Sequence, residues 1–274
     1  MRMICWLLLV STFPAPFSAA QMRTESLTGP LAEAQALFYN GQYEAAAALT
    51  RTLSAEGDPL AVYELRTSAI LFQLRRAIGE PKDKEKAFKQ CAACPALMTA
   101  FTAELTLGRE AARAVLKTAP KDENALFYLG KLNLNYVWLV LGTLGKRAGW
   151  NEYWEARHSL DAVLLDHPSH LRARVARAWI DYIVDTRMPF GTEWLLGGGN
   201  KKRALAVMHE AADTQGDFYA GVEALFGLWD MQVREKNSAA ALVSAHRLAV
   251  LFPANAEVAK FISTRSSSLS PKRN

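Results

Sequence analysis

Residues 124–168 read NALFYLGKLNLNYVWLVLGTLGKRAGWNEYWEARHSLDAVLLDHP. Apolar residues recur at three- and four-residue intervals on both sides of a glycine-rich break at Gly142, Gly145 and Gly149, the period of helices with one buried face. Leu126-x-x-Leu129-Gly130 precedes the break and Tyr153-x-x-Ala156 follows it, with Val163 and Pro168 beyond. Gly130 and Ala156 are small enough for two helix backbones to approach closely, Tyr153 fills the space beside them, and Pro168 stops the second helix. The segment therefore reads as two helices packed across a crossing of small residues.

The same spacing returns elsewhere. Ala241, Leu248 and Pro253 repeat the last three positions, Gly41-Gln42-Tyr43-x-x-Ala46-x6-Leu53 before Pro59 repeats the front, and Ala204 and Ala211 again lie seven apart. Gly29-Pro30, Gly57-Asp58-Pro59, Gly79-Glu80-Pro81, Pro120, Pro168 and Pro253 punctuate the chain at helix length. Alternation of Val, Ile and Thr that would mark strands is nearly absent, so the expected fold class is all-α. The repeated spacing resembles the tetratricopeptide repeat family, in which two antiparallel helices form each unit and units stack into a solenoid. That resemblance implies a single helical-repeat domain over residues 21–264, with units near 30–59, 124–168, 169–214 and 218–253. Residues 60–120 are helical but off the pattern, and a last helix near 255–264 would cap the array. Asn133 stands where the family has an aromatic residue, and Leu53, Val163 and Leu248 stand where Ala is usual.

The N-terminus carries Arg2, an apolar run from Ile4 to Val10, Pro14 and Pro16, then Ser18, Ala19 and Ala20. This is the pattern of a secretory signal with cleavage after Ala20, too short to serve as a comfortable membrane span. Cleavage removes one of 32 basic residues and none of 27 acidic ones. So mild a surplus, without a basic run longer than Lys201-Lys202-Arg203, gives no footprint for nucleic acid. Cys91 and Cys94 remain, and in an oxidising compartment such as a bacterial periplasm they form a short-loop disulfide, the alternative being a thiol-redox pair. Residues 265–274 read as a solvated, disordered tail. Half of the chain is hydrophobic and its mean hydropathy is −0.03, which excludes a polytopic membrane protein.

Two consecutive units depart from the short turn that the family uses between its helices. One inserts Gly142–Trp150 after a helix from Asn124 to Leu141; the next inserts Thr186–Asn200 after a helix from Leu171 to about Asp185. Equivalent connections in stacked units fall on one edge, and insertions there often form a binding face. Lys146, Arg147, Trp150, Arg187, Phe190, Trp194, Lys201, Lys202 and Arg203 would then assemble beside one another. Cations beside flat aromatic faces suit an anionic group, a sugar ring or an acidic peptide, and the backbone after Gly197-Gly198-Gly199-Asn200 offers free N–H groups for a carboxylate or phosphate. The alternative is that the aromatics cover helix ends and Asn200 is an N-cap.

On the helix from Leu171, Arg174, Arg177, Asp181 and Asp185 share one side. They form either a solvated face or a charged wall leading to Arg187. Gly145-Lys146 lacks the spacing and hydroxyl of a nucleotide-binding loop, and no signature of a hydrolase is present. His158, His167 and His170 lie near Asp161 and Asp166 without sharing a helix face in metal-ligand spacing. No cofactor or metal is expected. The expectation is an exported, non-enzymatic scaffold that binds a protein or peptide in the envelope, a role implied by the resemblance. The alternative is a carrier of a small anionic or sugar ligand, or a transport accessory, with the insertions as the mouth of a pocket.

Overall fold

The computed structural model describes residues 29–53, 58–146, 148–187, 193–214 and 217–269. The segment 1–20 expected to be a signal, Arg147, Phe190 and residues 270–274 lie outside these. The described residues form twelve α-helices and no strand: α1 Pro30–Tyr39, α2 Tyr43–Thr52, α3 Pro59–Ile78, α4 Lys84–Gln90, α5 Cys94–Thr118, α6 Glu123–Val137, α7 Trp150–Asp166, α8 Leu171–Arg187, α9 Lys201–Asp213, α10 Phe218–Arg234, α11 Ser238–Leu251 and α12 Ala256–Leu269. The all-α expectation holds. No single helix among the described residues is long and apolar enough to cross a membrane.

Local chemistry sets the boundaries. Asp58, Asp83, Asp122, Asn200, Asp217 and Asn237 each accept a hydrogen bond from a backbone N–H in the first turn of the following helix, satisfying a donor the helix leaves open. Pro30, Pro59 and Pro95 occupy first-turn positions, where a missing N–H costs nothing. Cys91 and Cys94 form the expected disulfide, across a Cα separation of 5.3 Å at the corner between α4 and α5.

Three boundaries differ from expectation. The helix expected to end at Leu141 ends at Val137 and continues to Thr143 as a π-helix; the wider winding carries the chain into the glycine-rich break. Helix α8 runs two residues beyond Asp185, to Arg187, and α12 runs on to Leu269, through residues expected to belong to the tail. In both cases a nucleated helix adds residues without a second nucleation cost.

Packing follows the small residues. A Cβ on Gly130 would sit 2.9 Å from Leu160 Cγ and 3.3 Å from the Ala156 carbonyl oxygen, so α6 and α7 meet at the crossing that the sequence marks. Beyond such pairs of neighbours, the start of the helical chain meets its later helices. Tyr39 at the end of α1 stacks on Tyr219 and Phe226 of α10 at 6.3 and 5.4 Å and packs against Phe252 after α11 at 5.4 Å. Tyr219 Oη donates to the Ala32 carbonyl (2.9 Å), and Asn255 Nδ2 donates to that of Tyr39 (2.8 Å). The first helix thus touches α10 and the connection between α11 and α12. Within the space they enclose, Lys131 of α6 bonds Glu223 of α10 and lies 3.7 Å from Glu64 of α3.

Candidate functional site

The second insertion is built on α7. Buried Arg157 extends from that helix, and its Nη1 donates to the carbonyls of Leu196 (3.0 Å) and Gly198 (3.2 Å) and to Tyr153 Oη (3.2 Å). Its Nη2 donates to the Gly197 carbonyl (2.5 Å), and Tyr153 Oη in turn donates to Leu196 (2.7 Å). One guanidinium therefore holds three successive carbonyls. Planarity and several fixed donors let an arginine do this where a lysine has one point charge.

Two of the three glycines meet their neighbours in different ways. A Cβ on Gly197, which adopts φ +76°, would meet Arg157 Cζ at 2.8 Å. On Gly199 it would meet the backbone nitrogen of Asp185 at 2.5 Å and the carbonyl oxygen of Asp181 at 2.7 Å. Gly199 thus lets the loop run directly along the backbone of α8. The N-terminus of α9, read as open to an anion, already holds one. Asp185 Oδ2 accepts from Lys201 N at 2.6 Å and Asn200 Oδ1 from Arg203 N at 2.8 Å. The Asn200 N-cap is present, and the carboxylate beside it comes from the chain itself.

The charged side of α8 is paired in the same way. Arg177 bonds Asp161 of α7 at 2.6 Å and Asp181 at 2.5 Å, and Arg174 grips Glu210 of α9 with two bonds of 2.9 and 2.6 Å. Burial disfavours the charge on Arg177, but the two carboxylates outweigh it and raise its pKa above the ordinary value. Lys201 Nζ engages Glu235 at 2.8 Å. Of the candidate binding residues, Arg174, Arg177, Asp181 and Asn200 thus join helices or cap them, while Arg187, Lys202 and Arg203 are exposed.

Two large apolar side chains are also exposed on this loop. Glu193–Leu196 forms one 3-10 turn, on which neighbouring Trp194 and Leu195 are 73% and 51% exposed. Trp150, 45% exposed, opens α7 one turn before Tyr153. The first insertion ends in α7, and the second rests on Tyr153 and Arg157 of the same helix. Lys146 lies in the electrostatic range of Glu85 on α4, and Lys84 of α4 donates to the Gly142 carbonyl. The first insertion therefore leans on α4 while the second leans on α7.

Sequence reasoning missed Arg157 and the enclosed charges. Burial disfavours the Lys131 ammonium, but Glu223 and Glu64 outweigh it and raise its pKa. Tyr39 is pushed well up by burial and by Glu223. Beside them, Ser68 Oγ donates to Glu64 (3.0 Å), and Asn135 Nδ2 donates to Ser68 (2.9 Å) and Thr67 (3.0 Å). The available signal was a charge inside an apolar helical face, as in Leu129-Gly130-Lys131-Leu132, which cannot stay buried unpaired. Among the described residues no group of three His, Cys, Asp or Glu could hold a metal ion. His167 and His170 instead both approach Glu123, at 3.4 and 3.5 Å.

No family model, curated protein or solved structure matches this chain.

Proposed function

We propose that this protein is an exported helical-repeat adaptor of tetratricopeptide-like arrangement, acting by binding and without catalysis. Its second insertion docks a protein segment that carries apolar and acidic side chains. The observation that carries this reading is the pair Trp194 and Leu195, exposed side by side on a turn whose following three carbonyls are held by buried Arg157. A loose loop would lose conformational entropy on binding, whereas a clamped one presents its aromatic anchor already ordered. Arg187, Lys202 and Arg203 supply exposed positive charge on the adjoining helix ends, which orients an acidic partner and speeds its approach. A periplasmic setting is supported by the signal-like N-terminus and by the Cys91–Cys94 disulfide.

An open surface is favoured over the mouth of a small-ligand pocket by exposure alone, because Trp150 and Trp194 are too solvent-accessible to line an enclosed cavity. The contact of α1 with the later helices also favours an outer site over the enclosed faces of the helices.

The test places a photoreactive residue at position 194 in one version of the chain and at exposed Leu165 on α7 in another. A protein crosslinked only from position 194 is then purified, and its affinity measured for the unaltered chain and for the variant Trp194→Ala, Lys202→Ala, Arg203→Ala. The expected loss is about 2–4 kcal/mol, with folding stability changed by no more than about 0.5 kcal/mol. Equal affinity for the two chains would remove the second insertion from consideration.

A further inference from the structure

Helix α10 closes on a left-handed residue. Asn237 N donates to the Gln232 carbonyl (3.0 Å) and Lys236 N to that of Val233 (3.1 Å), with Lys236 at φ +58°. This pair of bonds ends many helices, and the residue at the left-handed position is usually glycine, because a Cβ is crowded there. Lys236 is the one non-glycine residue at positive φ among the described residues. The chain thus keeps a side chain where the backbone is easier without one, and strain of this kind marks positions held for what the side chain does.

That side chain borders a cavity of about 340 Å³ between the end of α10, the start of α11 and the second half of α12. Val233, Ala241 and Phe261 give it apolar walls, Lys236 and Arg265 bring two cations, and Ser238 brings a hydroxyl. Arg265 lies over the Phe261 ring, 5.8 Å from its centre. Among the described residues no Asp or Glu lines this space. Neighbouring Glu235 is engaged elsewhere, by Lys201 (2.8 Å) and Tyr182 (3.0 Å). Ser238 belongs to the first turn of α11, and a helix start favours negative charge. Apolar and aromatic walls with a few polar groups, in a volume of this order, are the build of a small-molecule site. The cations select an anion, and the walls select one with an apolar body.

We propose that this cavity binds a small carboxylate with an alkyl or aryl body, its charged end between Lys236 and Arg265 and its body against Phe261 and Val233. None of the lining residues belongs to the second insertion, so this site stands or falls apart from the surface around Trp194.

Chemical-shift titration of the full chain with phenylacetate and with hexanoate tests this, with phenylacetamide as the uncharged match. Saturable binding of both carboxylates is expected, with the amide about tenfold weaker than the acid, since it forgoes both cations. Lys236→Gly weakens phenylacetate about threefold, the worth of one solvent-accessible ion pair, while the melting temperature holds or rises because glycine relieves the backbone at φ +58°. A lysine kept for structure would not lose affinity while stability holds. Arg265→Gln weakens binding by a similar factor, and Lys86→Gln, on α4 and outside the lining residues, leaves it unchanged. Failure of both carboxylates to saturate would overturn the proposal, as would an amide that binds as tightly as the acid. Unaltered affinity in Lys236→Gly and Arg265→Gln would overturn it too, and so would equal weakening by Lys86→Gln, which would reduce the contact to the general positive charge of the chain.

Discussion

Lys131 and Arg157 are both cations removed from solvent, and their partners are of different kinds. Lys131 is held by two carboxylates, Glu64 and Glu223, from helices far apart in the chain. Arg157 spends most of its donors on the backbone carbonyls of one loop. The first arrangement ties α6 to α3 and α10. The second fixes the pose of a surface segment and leaves Trp194 outside. A buried charge is thus a fastener in both places, but its partners decide whether it secures the fold or a presented surface.

The largest expected effect comes from breaking the enclosed side of that contrast. Lys131→Ala leaves Glu64 and Glu223 buried without their shared cation, and removing one partner of a buried ion pair costs about 3–5 kcal/mol. Urea denaturation followed by circular dichroism should show a loss of that size. Lys131→Met combined with Glu223→Gln removes the cation and its bonded carboxylate together, leaves Glu64 to face the buried Arg172 charge, and should recover part of it. If Lys131→Ala alone were neutral, the cluster would be solvated and the contrast with Arg157 would fail.

Arg157→Ala should act locally. It frees the carbonyls of residues 196–198, which can turn to water, so the expected cost is about 1–3 kcal/mol, smaller than at Lys131. Amide hydrogen exchange should rise sharply over residues 194–203 and little in α3 or α10. Arg157→Lys should behave like the alanine variant, because an ammonium cannot span the same three carbonyls. Exchange that rises equally across the whole chain would make Arg157 a global fastener, like Lys131.

The difference between these regions explains what the sequence made legible. Helix content, the crossing of Gly130 with Ala156, the break at Gly57-Asp58-Pro59, the cap at Asn200 and the disulfide all depend on neighbours within a few residues or on a periodic face. The triple glycine was visible as a special site, but its role depends on the approach of Gly199 to Asp185 and of Gly197 to Arg157, which local spacing does not contain. Contact of Tyr39 with the later helices joins residues more than 170 positions apart. In the fold so joined the charges at 64, 131 and 223 find one another, so no single stretch announces them. Arg174 and Arg177 illustrate the same limit. They read as either a solvated face or a charged wall because their partners Glu210 and Asp161 lie on other helices.

Helix α8 spans both regions, with Arg172 near its start among the enclosed charges and Asp185 near its end beside the clamped loop. Its first turn is capped by His170, whose Nδ1 accepts from Ala173 N at 3.1 Å. Only an unprotonated Nδ1 can accept that bond. Burial lowers the His170 pKa against the opposing pull of Glu123, so the folded chain favours the neutral ring and the unfolded chain binds the proton more readily. The sign follows from linkage: this contribution is present above the ordinary histidine pKa and is lost as pH falls through the lowered value in the fold. Its size is that of one helix cap, about 1 kcal/mol, the smallest effect expected here. Hydrogen exchange compared at neutral and mildly acidic pH, after correction for the intrinsic rate, should show loosening at residues 171–174 and none at 197–201. His170→Asn supplies a cap that does not titrate and should abolish the difference. Loosening that appears first at the clamped loop would mean that α8 transmits strain along its length, and that the two regions are one mechanical unit.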